Sequence, residues 1–353
     1  MAKRALCAPR VLCLGEALVD RLGPPGGDPA AAAPADCDDR LGGAPANVAC
    51  ALARLGTPVA FLGRLGDDAI GSSFQELMRT RGVDLRAVQH DRHRPSRVVL
   101  VRRDASGERL FQGFAGALDQ GFADQRLDRR QLALAWPALV ESARWLLVGT
   151  IPLATPESME ALLWAIAQVD QSTLRLALDV NWRPTFWDPQ ADPAAGPASE
   201  QLAAMAPLLD RASLIKLAKE EAIWLFNSRN PAAISACLPH RPDVVVTDGA
   251  HPVQWCIAGH AGSMEVLPPP RVVDTTGAGD AFTAGLLHQL VALTPSAGAP
   301  LRLSAAVVQQ VIRYAVACGA LVCAGAGAIA PQPAAFDVEH FLQHSAPLVP
   351  GRR

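Results

Sequence analysis

The chain has 353 residues, half of them hydrophobic, and a formal net charge of −2. That length suits one large α/β domain or two smaller ones. The basic residues are scattered, which argues against a nucleic-acid surface, and no apolar run reaches the roughly eighteen residues of a membrane span. The short apolar stretch 11–14 is also too brief for a secretory signal. We therefore expect a soluble, cytoplasmic protein with small-molecule partners.

The positions of lysine and cysteine, and the absence of several motifs, argue against a number of enzyme classes. The lysines are Lys3, Lys216 and Lys219, and none stands in the Gly-Lys-Ser/Thr triplet of a P-loop. The eight cysteines form no C-x-x-C pair, so free thiols in a reducing compartment are expected. The motifs G-x-G-x-x-G, G-x-S-x-G and H-E-x-x-H are absent as well.

Strand-like and helical segments alternate along most of the chain. Short buried strands at 11–14 and 59–62 flank a helix at 44–55, and a second unit has a strand at 144–148, a helix at 157–169 and a strand at 174–179. Further strand-like segments follow at 213–217 and 243–247. This order predicts an α/β fold with a mostly parallel sheet and helices on both faces.

Other segments interrupt the alternation. Residues 97–103 and 108–114 are extended and flank the turn at 104–107, which predicts an antiparallel hairpin, placed as a flap over a substrate site. Residues 23–38 are rich in Pro, Gly and Ala and are expected to form a surface loop. Residues 187–199 form a similar loop, to which we assign no role.

The run DTTGAGD at 274–280 carries the clearest chemical signal. Val272 and Val273 end an extended segment and a helical pattern follows, so the run is expected at a strand-to-helix junction. There the backbone of Gly277, Ala278 and Gly279 would bind phosphate oxygens, and Asp280 would accept the proton of an attacking hydroxyl. The alternative is a tight turn with an acidic residue in the first helical turn.

The chain resembles the ribokinase-like, or PfkB, family of carbohydrate kinases. The C-terminal family signature corresponds to DTTGAGDAFTAG at 274–285, and the N-terminal one to GGAPANVACALARLG at 42–56, continuing into GRLGDDAIG at 63–71. The resemblance implies a three-layer α/β/α sandwich with a mostly parallel central sheet and a small β-lid. It implies a single kinase domain over residues 1–353, with the lid contributed by residues 17–43 and 94–119.

The same resemblance implies roles for residues in both signatures. Asp280 corresponds to the family's catalytic base, beside an anion hole at Gly277, Ala278 and Gly279. The sugar-binding positions of the family correspond to Asp20, Gly43 and Asn47. Sugar hydroxyls are well served by a carboxylate, an amide and an unobstructed backbone. Without the family, a strand-end cap for Asp20 and a polar residue in the first turns of a helix for Asn47 would be preferred.

ATP and Mg²⁺ are the cofactors that the resemblance implies. Glu221 matches a glutamate that organises Mg²⁺ through water, although Ala218 stands where relatives often carry Asn or Ser. Thr247 and Gly249 match a strand-end turn that meets the nucleotide, although the usual second glycine is missing at 250–252. Activation by a monovalent cation such as K⁺ and a homodimer formed through the lid occur in this family, and the residues decide neither.

The segment DVNWRPTFW at 179–187 resembles a fructokinase run, as do residues 325–331. Arg183 would then hold a phosphate or a substrate hydroxyl. Asp119 matches an acid of the fructokinase flap, without the arginine that usually accompanies it. The resemblance therefore implies a kinase that converts ATP and D-fructose into ADP and D-fructose 6-phosphate. The alternatives are a kinase of ribose, 2-keto-3-deoxygluconate or a nucleoside, and a non-catalytic regulatory subunit.

Overall fold

The computed structural model describes residues 7–24, 26–103, 109–116, 121–169, 173–294 and 302–345. The strands are β1 (Val11–Leu14), β2 (Leu18–Leu22), β3 (Asp38–Gly42), β4 (Val59–Leu62), β5 (Arg64–Gly66), β6 (Gln89–Asp91), β7 (Arg97–Arg103), β8 (Arg109–Phe114), β9 (Trp145–Val148), β10 (Arg175–Asp179), β11 (Leu214–Ala218), β12 (Asp243–Asp248), β13 (His251–Ile257) and β14 (His260–Met264). The helices are α1 (Ala44–Arg54), α2 (Ala69–Arg81), α3 (Arg129–Val140), α4 (Pro156–Val169), α5 (Pro184–Trp187), α6 (Ser199–Arg211), α7 (Lys219–Phe226), α8 (Pro231–Ala236), α9 (Ala278–Leu293), α10 (Ala305–Val322) and α11 (Ala335–His344).

The central sheet has eight strands in the order β14-β13-β12-β11-β10-β9-β1-β4. From β12 to β4 all neighbours pair in parallel, and β13 and β14 extend one edge antiparallel. Val11 and Cys13 pack into a hydrophobic cluster that includes residues of α1, α9 and α10. Leu12 and Leu14 pack into another that includes residues of α3, α4 and α6. Because side chains alternate along a strand, these two clusters lie on opposite faces of the sheet. Helices therefore cover both faces, which confirms the predicted fold class.

Helix α10 is mostly apolar and packs against this core. Its 18 residues have a mean hydropathy of 1.5, so it could cross a membrane by length and composition alone, but 61% of it is buried inside the fold. Gly285 allows α9 to approach it closely, because a Cβ there would lie 2.8 Å from Cys318 Sγ. This burial is that of a core helix in a globular protein.

A second, four-stranded sheet has the order β3-β2-β7-β8, and we call it the lid sheet. β7 and β8 pair antiparallel, as the sequence predicted, although the turn at 104–107 lies outside the described residues. β2 joins β7 in parallel and β3 in antiparallel pairing. The segment 23–38, predicted as a surface loop, connects β2 to β3.

One local prediction was wrong. Val272 and Val273 are 69% and 52% exposed and belong to no strand, so α9 is entered from an irregular segment rather than from a strand. Val273 N donates to Cys323 O at 2.9 Å, which ties this segment to the end of α10 instead of to a sheet. Asp20 lies inside β2 of the lid sheet, which excludes the alternative that it caps the end of a strand.

Candidate active site

A cavity of about 590 Å³ lies where the lid sheet faces the central sheet. Leu18, Val99 and Phe111 of the lid sheet form one side of it. The N-termini of α1 and α9 form the other side, so both sequence signatures meet here. In parallel sheets, ligands bind at the carboxyl ends of the strands, and a helix N-terminus favours anions. The cavity can therefore bind a polar ligand next to a phosphate group.

Gly43 and Asn47 bring the beginning of α1 into this cavity. Gly43 has a φ of 98°, and a Cβ there would lie 2.8 Å from Glu16 O, so only glycine fits. Asn47 is 5% exposed, and its Nδ2 donates to Asp280 Oδ2 at 2.7 Å. One hydrogen bond thus joins the two signatures across 233 positions of the chain.

The turn at residues 274–280, which we call the cradle, is tightly fixed. Gly277 is the N-cap of α9 with a φ of 80°, and a Cβ there would lie 2.6 Å from Ala328 Cβ. Asp274 Oδ1 accepts from Thr276 N at 3.0 Å, and its Oδ2 accepts from Gly327 N at 2.7 Å. The first amides of a helix have no acceptor within the helix, although Ala278 N donates to Thr275 O at 3.2 Å, and residues 277–280 all line the cavity. The turn can therefore offer N–H donors to an anion.

Asp280 stands between opposing electrostatic influences. Burial and the nearby Asp179 carboxylate raise its pKa to about 6, while the hydrogen bond from Asn47 and the charges of Lys216 and Arg183 hold it down. The carboxylate is consequently ionised at neutral pH but more basic than an exposed aspartate. That is the protonation behaviour a general base requires.

Asp179, Lys216 and Thr283 form a polar group behind Asp280 that sequence reasoning did not assign to the site. Asp179 and Lys216 are register partners on β10 and β11, and Lys216 Nζ lies 3.1 Å from Asp179 Oδ1. Thr283 Oγ1 lies 2.9 Å from Asp179 Oδ2 and 3.0 Å from Gly279 O. For Asp179 and Lys216 the available signal was their position near the carboxyl ends of predicted parallel strands, and for Thr283 its place in the signature at 274–285.

Glu16 was also missed, although it follows β1 by two residues. It is 2% exposed, and its Oε1 accepts from Ala44 N at 3.0 Å. Burial is the main reason that its pKa is raised to about 7. Since the N-cap of α1 is a glycine without a side chain, Glu16 satisfies one of the free amides of that helix.

Of the three remaining residues predicted to bind the sugar, two line the cavity. Asp20 and Arg183 line it, and Arg183 Nη1 donates to Trp182 O at 2.8 Å. Asp119 lies outside the described residues. The cavity wall therefore brings together Asp20, Gly43, Asn47, Arg183 and the cradle.

Glu221 lies buried beneath the cavity, not in its wall. It is 4% exposed, and its two carboxylate oxygens accept from Trp182 N and Ala218 N, each at 2.7 Å. Within the described residues, no group of three His, Cys, Asp or Glu side chains is placed to hold a metal. Both carboxylate oxygens of Glu221 are thus engaged by backbone amides, and its role at Mg²⁺ stays a prediction.

Thr247 and Gly249 lie at the carboxyl end of β12, two strands away from β10, and are not part of the cavity wall. Thr247 Oγ1 donates to Leu217 O at 3.3 Å, and Gly249 has a φ of 56°. Next to them, Lys219 Nζ lies 3.2 Å from Asp248 Oδ1. They lie at the same end of the central sheet as Asp179, and their role at the nucleotide stays a prediction.

Comparison with known proteins adds an independent line of observation. The sequence profile described as pfkB family carbohydrate kinase matches residues 8–335. The chain is 31% identical over 305 residues to "Probable fructokinase-2" of Arabidopsis thaliana, covering 86% of both sequences. A fructokinase with bound ATP from Xylella fastidiosa has a TM-score of 0.78 at 25% identity, covering 96% of this chain and 99% of that one.

A fructokinase double mutant of Vibrio cholerae, in its fructose, ADP and potassium ion bound form, has a TM-score of 0.76 at 28% identity. That match covers 96% of this chain and 100% of the other. With the profile matched over nearly its whole length and the two signatures meeting in one cavity, the chain belongs to the PfkB family of carbohydrate kinases, phosphotransferases that act on a sugar hydroxyl.

Proposed function

We propose that this kinase is a fructokinase that transfers the γ-phosphoryl group of ATP to D-fructose, giving ADP and D-fructose 6-phosphate. The observation that carries the mechanism is the hydrogen bond between Asn47 and Asp280, which joins the sugar side of the cavity to the phosphate cradle. Fructose is supported by the resemblance of residues 179–187 to fructokinases and by the fructokinase relatives.

Asp280 is the general base in this proposal. The sugar hydroxyl is oriented by Asp20 and Asn47 and loses its proton to Asp280 as its oxygen bonds to the γ-phosphorus. The bond from that phosphorus to the β,γ-bridging oxygen breaks, and ADP leaves with the electron pair. Charge that develops on the transferring group faces the amides of the Gly277 to Gly279 turn.

Mg²⁺ would add positive charge at the phosphates, and Glu221 would order its water ligands. Two backbone amides hold the Glu221 carboxylate next to Trp182 and Ala218, so any effect on the ion would pass through water. A K⁺ requirement remains a proposal drawn from the family resemblance, as does a homodimer through the lid sheet.

The test is an ADP-release assay with ATP and Mg²⁺ across fructose, ribose, 2-keto-3-deoxygluconate and nucleosides. We expect fructose to have the highest kcat/KM. In Asp280→Ala, kcat should fall by roughly 10²- to 10⁴-fold, the usual contribution of general-base catalysis, while calorimetric fructose binding is kept. Asp210→Ala, which removes an exposed aspartate of α6, is the matched control and should leave both quantities unchanged.

Three outcomes would contradict the proposal in different ways. Full activity of Asp280→Ala would remove the base assignment. Higher kcat/KM for another sugar would replace fructose. Fructose binding without turnover of any sugar would support the regulatory-subunit alternative.

A further inference from the structure

Lys216 is a buried cation in the wall of the cavity that the family signatures do not include. Its side chain is 12% exposed, and its Nζ lies 3.1 Å from Asp179 Oδ1. Arg183 is the other basic residue in the described wall of the cavity. Since the wall also contains the acids Glu16, Asp20 and Asp280, positive charge is scarce at the place where a triphosphate must bind.

The surroundings keep the Lys216 ammonium group charged. Burial alone would lower its pKa, but the carboxylates of Asp179, Glu221 and Asp280 outweigh it and hold the pKa above its usual value. A buried lysine paired with one carboxylate adds little net stability compared with apolar side chains of similar size. Its position is therefore better explained by what its charge can bind.

That position is directly against the phosphate cradle. A Cβ built at Gly279 would lie 3.2 Å from Lys216 Nζ, so the ammonium group touches the backbone that forms the anion site. An ammonium group has three donors, and the contact with Asp179 uses one of them. A phosphoryl group bound to the amides of the first turn of α9 would lie within reach of the others.

We propose that Lys216 is a further catalytic residue, which contacts the transferring phosphoryl group and stabilises the charge on its oxygens in the transition state. The inference rests on phosphoryl transfer in this cavity. Glycine-rich phosphate loops in other folds carry a lysine within the loop, whereas this cradle receives its lysine from the neighbouring strand β11. Asp179 positions it, because its other oxygen is bonded to Thr283 on the same helix that begins with the cradle.

The test compares Lys216→Met with the wild-type enzyme in kinetics and in binding of a transition-state analogue. We expect kcat to fall by about 10²- to 10³-fold, the typical loss for one oxyanion donor, with little change in fructose binding. The Kd of ADP with aluminium fluoride and fructose should rise by about 100-fold, while the Kd of ADP alone changes by less than about threefold, since the contact is made to the transferring group. Lys216→Arg keeps the charge and should retain more activity.

Some results would overturn the inference. If kcat stays within about threefold of wild type, or if ADP and its aluminium fluoride complex lose affinity equally, Lys216 is only a structural partner of Asp179. Should Lys216→Met fail to fold, the double variant Lys216→Met/Asp179→Asn leaves no unpaired carboxylate and should show the same selective loss. If the wild-type enzyme turns over another sugar instead of fructose, kcat and the Kd of the analogue are measured with that sugar. If it turns over no sugar, both this inference and phosphoryl transfer in this cavity are refuted.

Discussion

Asp280 owes its chemistry to the residues around it more than to its own side chain. Burial and Asp179 raise its pKa to about 6, and Asn47, Lys216 and Arg183 limit the rise. A base with a pKa just below the working pH is ionised most of the time and still accepts a proton readily. Two predictions follow from this balance, one for activity and one for stability.

The pH dependence of kcat/KM should show this ionisation. Because the base must be deprotonated, activity should fall about tenfold per pH unit below a pH of about 6 and level off above it. In Lys216→Met the acidic limb should move to higher pH, because a charge that lowers the pKa of Asp280 is lost. A wild-type profile that stays flat down to pH 5 would contradict the assignment.

The same carboxylate should reduce the stability of the fold at neutral pH. The pKa of Asp280 is higher in the folded chain than its usual value of 3.8, so the ionised form opposes folding, and the stability present at low pH is lost as pH rises through about 6. Asp280→Asn should therefore melt at a higher temperature than wild type at pH 8, with no difference near pH 4. Equal Tm values at both pH values would refute this reading.

At the scale of elements, the turn that begins α9 depends on one glycine. Gly277→Ala introduces a Cβ at a φ of 80° and 2.6 Å from Ala328, so the cradle must move and kcat should fall by at least about tenfold. Gly82→Ala is a matched control, with a φ of 83° and open space around its Cβ. Both variants should lose about 1–2 kcal/mol of stability from backbone strain, and only Gly277→Ala should lose activity. Equal kcat values for the two variants would contradict this.

The lid sheet is attached to the rest of the fold by Arg97. Its Nε lies 2.8 Å from Asp124 Oδ2, and the two side chains are 3% and 4% exposed. The rings of Phe114, Phe122 and Phe186 surround its guanidinium group at 4.6 to 5.1 Å. Arg97 thus connects β7 to the 3₁₀ turn at Ala123–Arg126 and to α5.

Removing one member of this buried pair should lower the free energy of unfolding more than removing both. Arg97→Leu leaves the Asp124 carboxylate buried without its partner, and the free energy of unfolding should fall by about 3–5 kcal/mol in denaturant titrations. In Arg97→Leu/Asp124→Leu most of that loss should be recovered, because no unpaired charge remains. A double variant that is less stable than Arg97→Leu would show that the pair itself stabilises the lid sheet.

At the scale of the whole molecule, the cavity lies between two separate sheets, the central sheet and the lid sheet. The central sheet has both faces covered by helices, whereas Asp20, Asp38 and Arg40 of the lid sheet are partly exposed. A ligand between the sheets therefore adds contacts mainly to the less protected one.

Amide hydrogen exchange should show this asymmetry. With fructose added, exchange should slow in β2, β3, β7 and β8 and change little in β4 and β9, because the latter strands are already fully buried. Uniform slowing across both sheets would instead indicate general stabilisation by ligand.

Much of the fold was predictable because its signals are local. Buried strands such as Val11–Leu14 and Val59–Leu62 appear as short apolar runs, and the helix between them is a longer run rich in alanine. Where the signal was weak, the prediction failed. Val272 and Val273 have the composition of a strand, but no strand in the described part of the chain pairs with them.

The sequence by itself determined the α/β fold, the kinase family and the cradle with Asp280, since glycines at a helix start and an acid after them are consecutive along the chain. Only the tertiary structure decided that Lys216 lies against Gly279, that Asp179 lies between Lys216 and Thr283, and that Glu221 turns into the interior. Those contacts depend on which strands are neighbours and in what register, as with Asp179 beside Lys216 on β10 and β11. Strand order follows from the packing of the whole chain, which no short segment specifies.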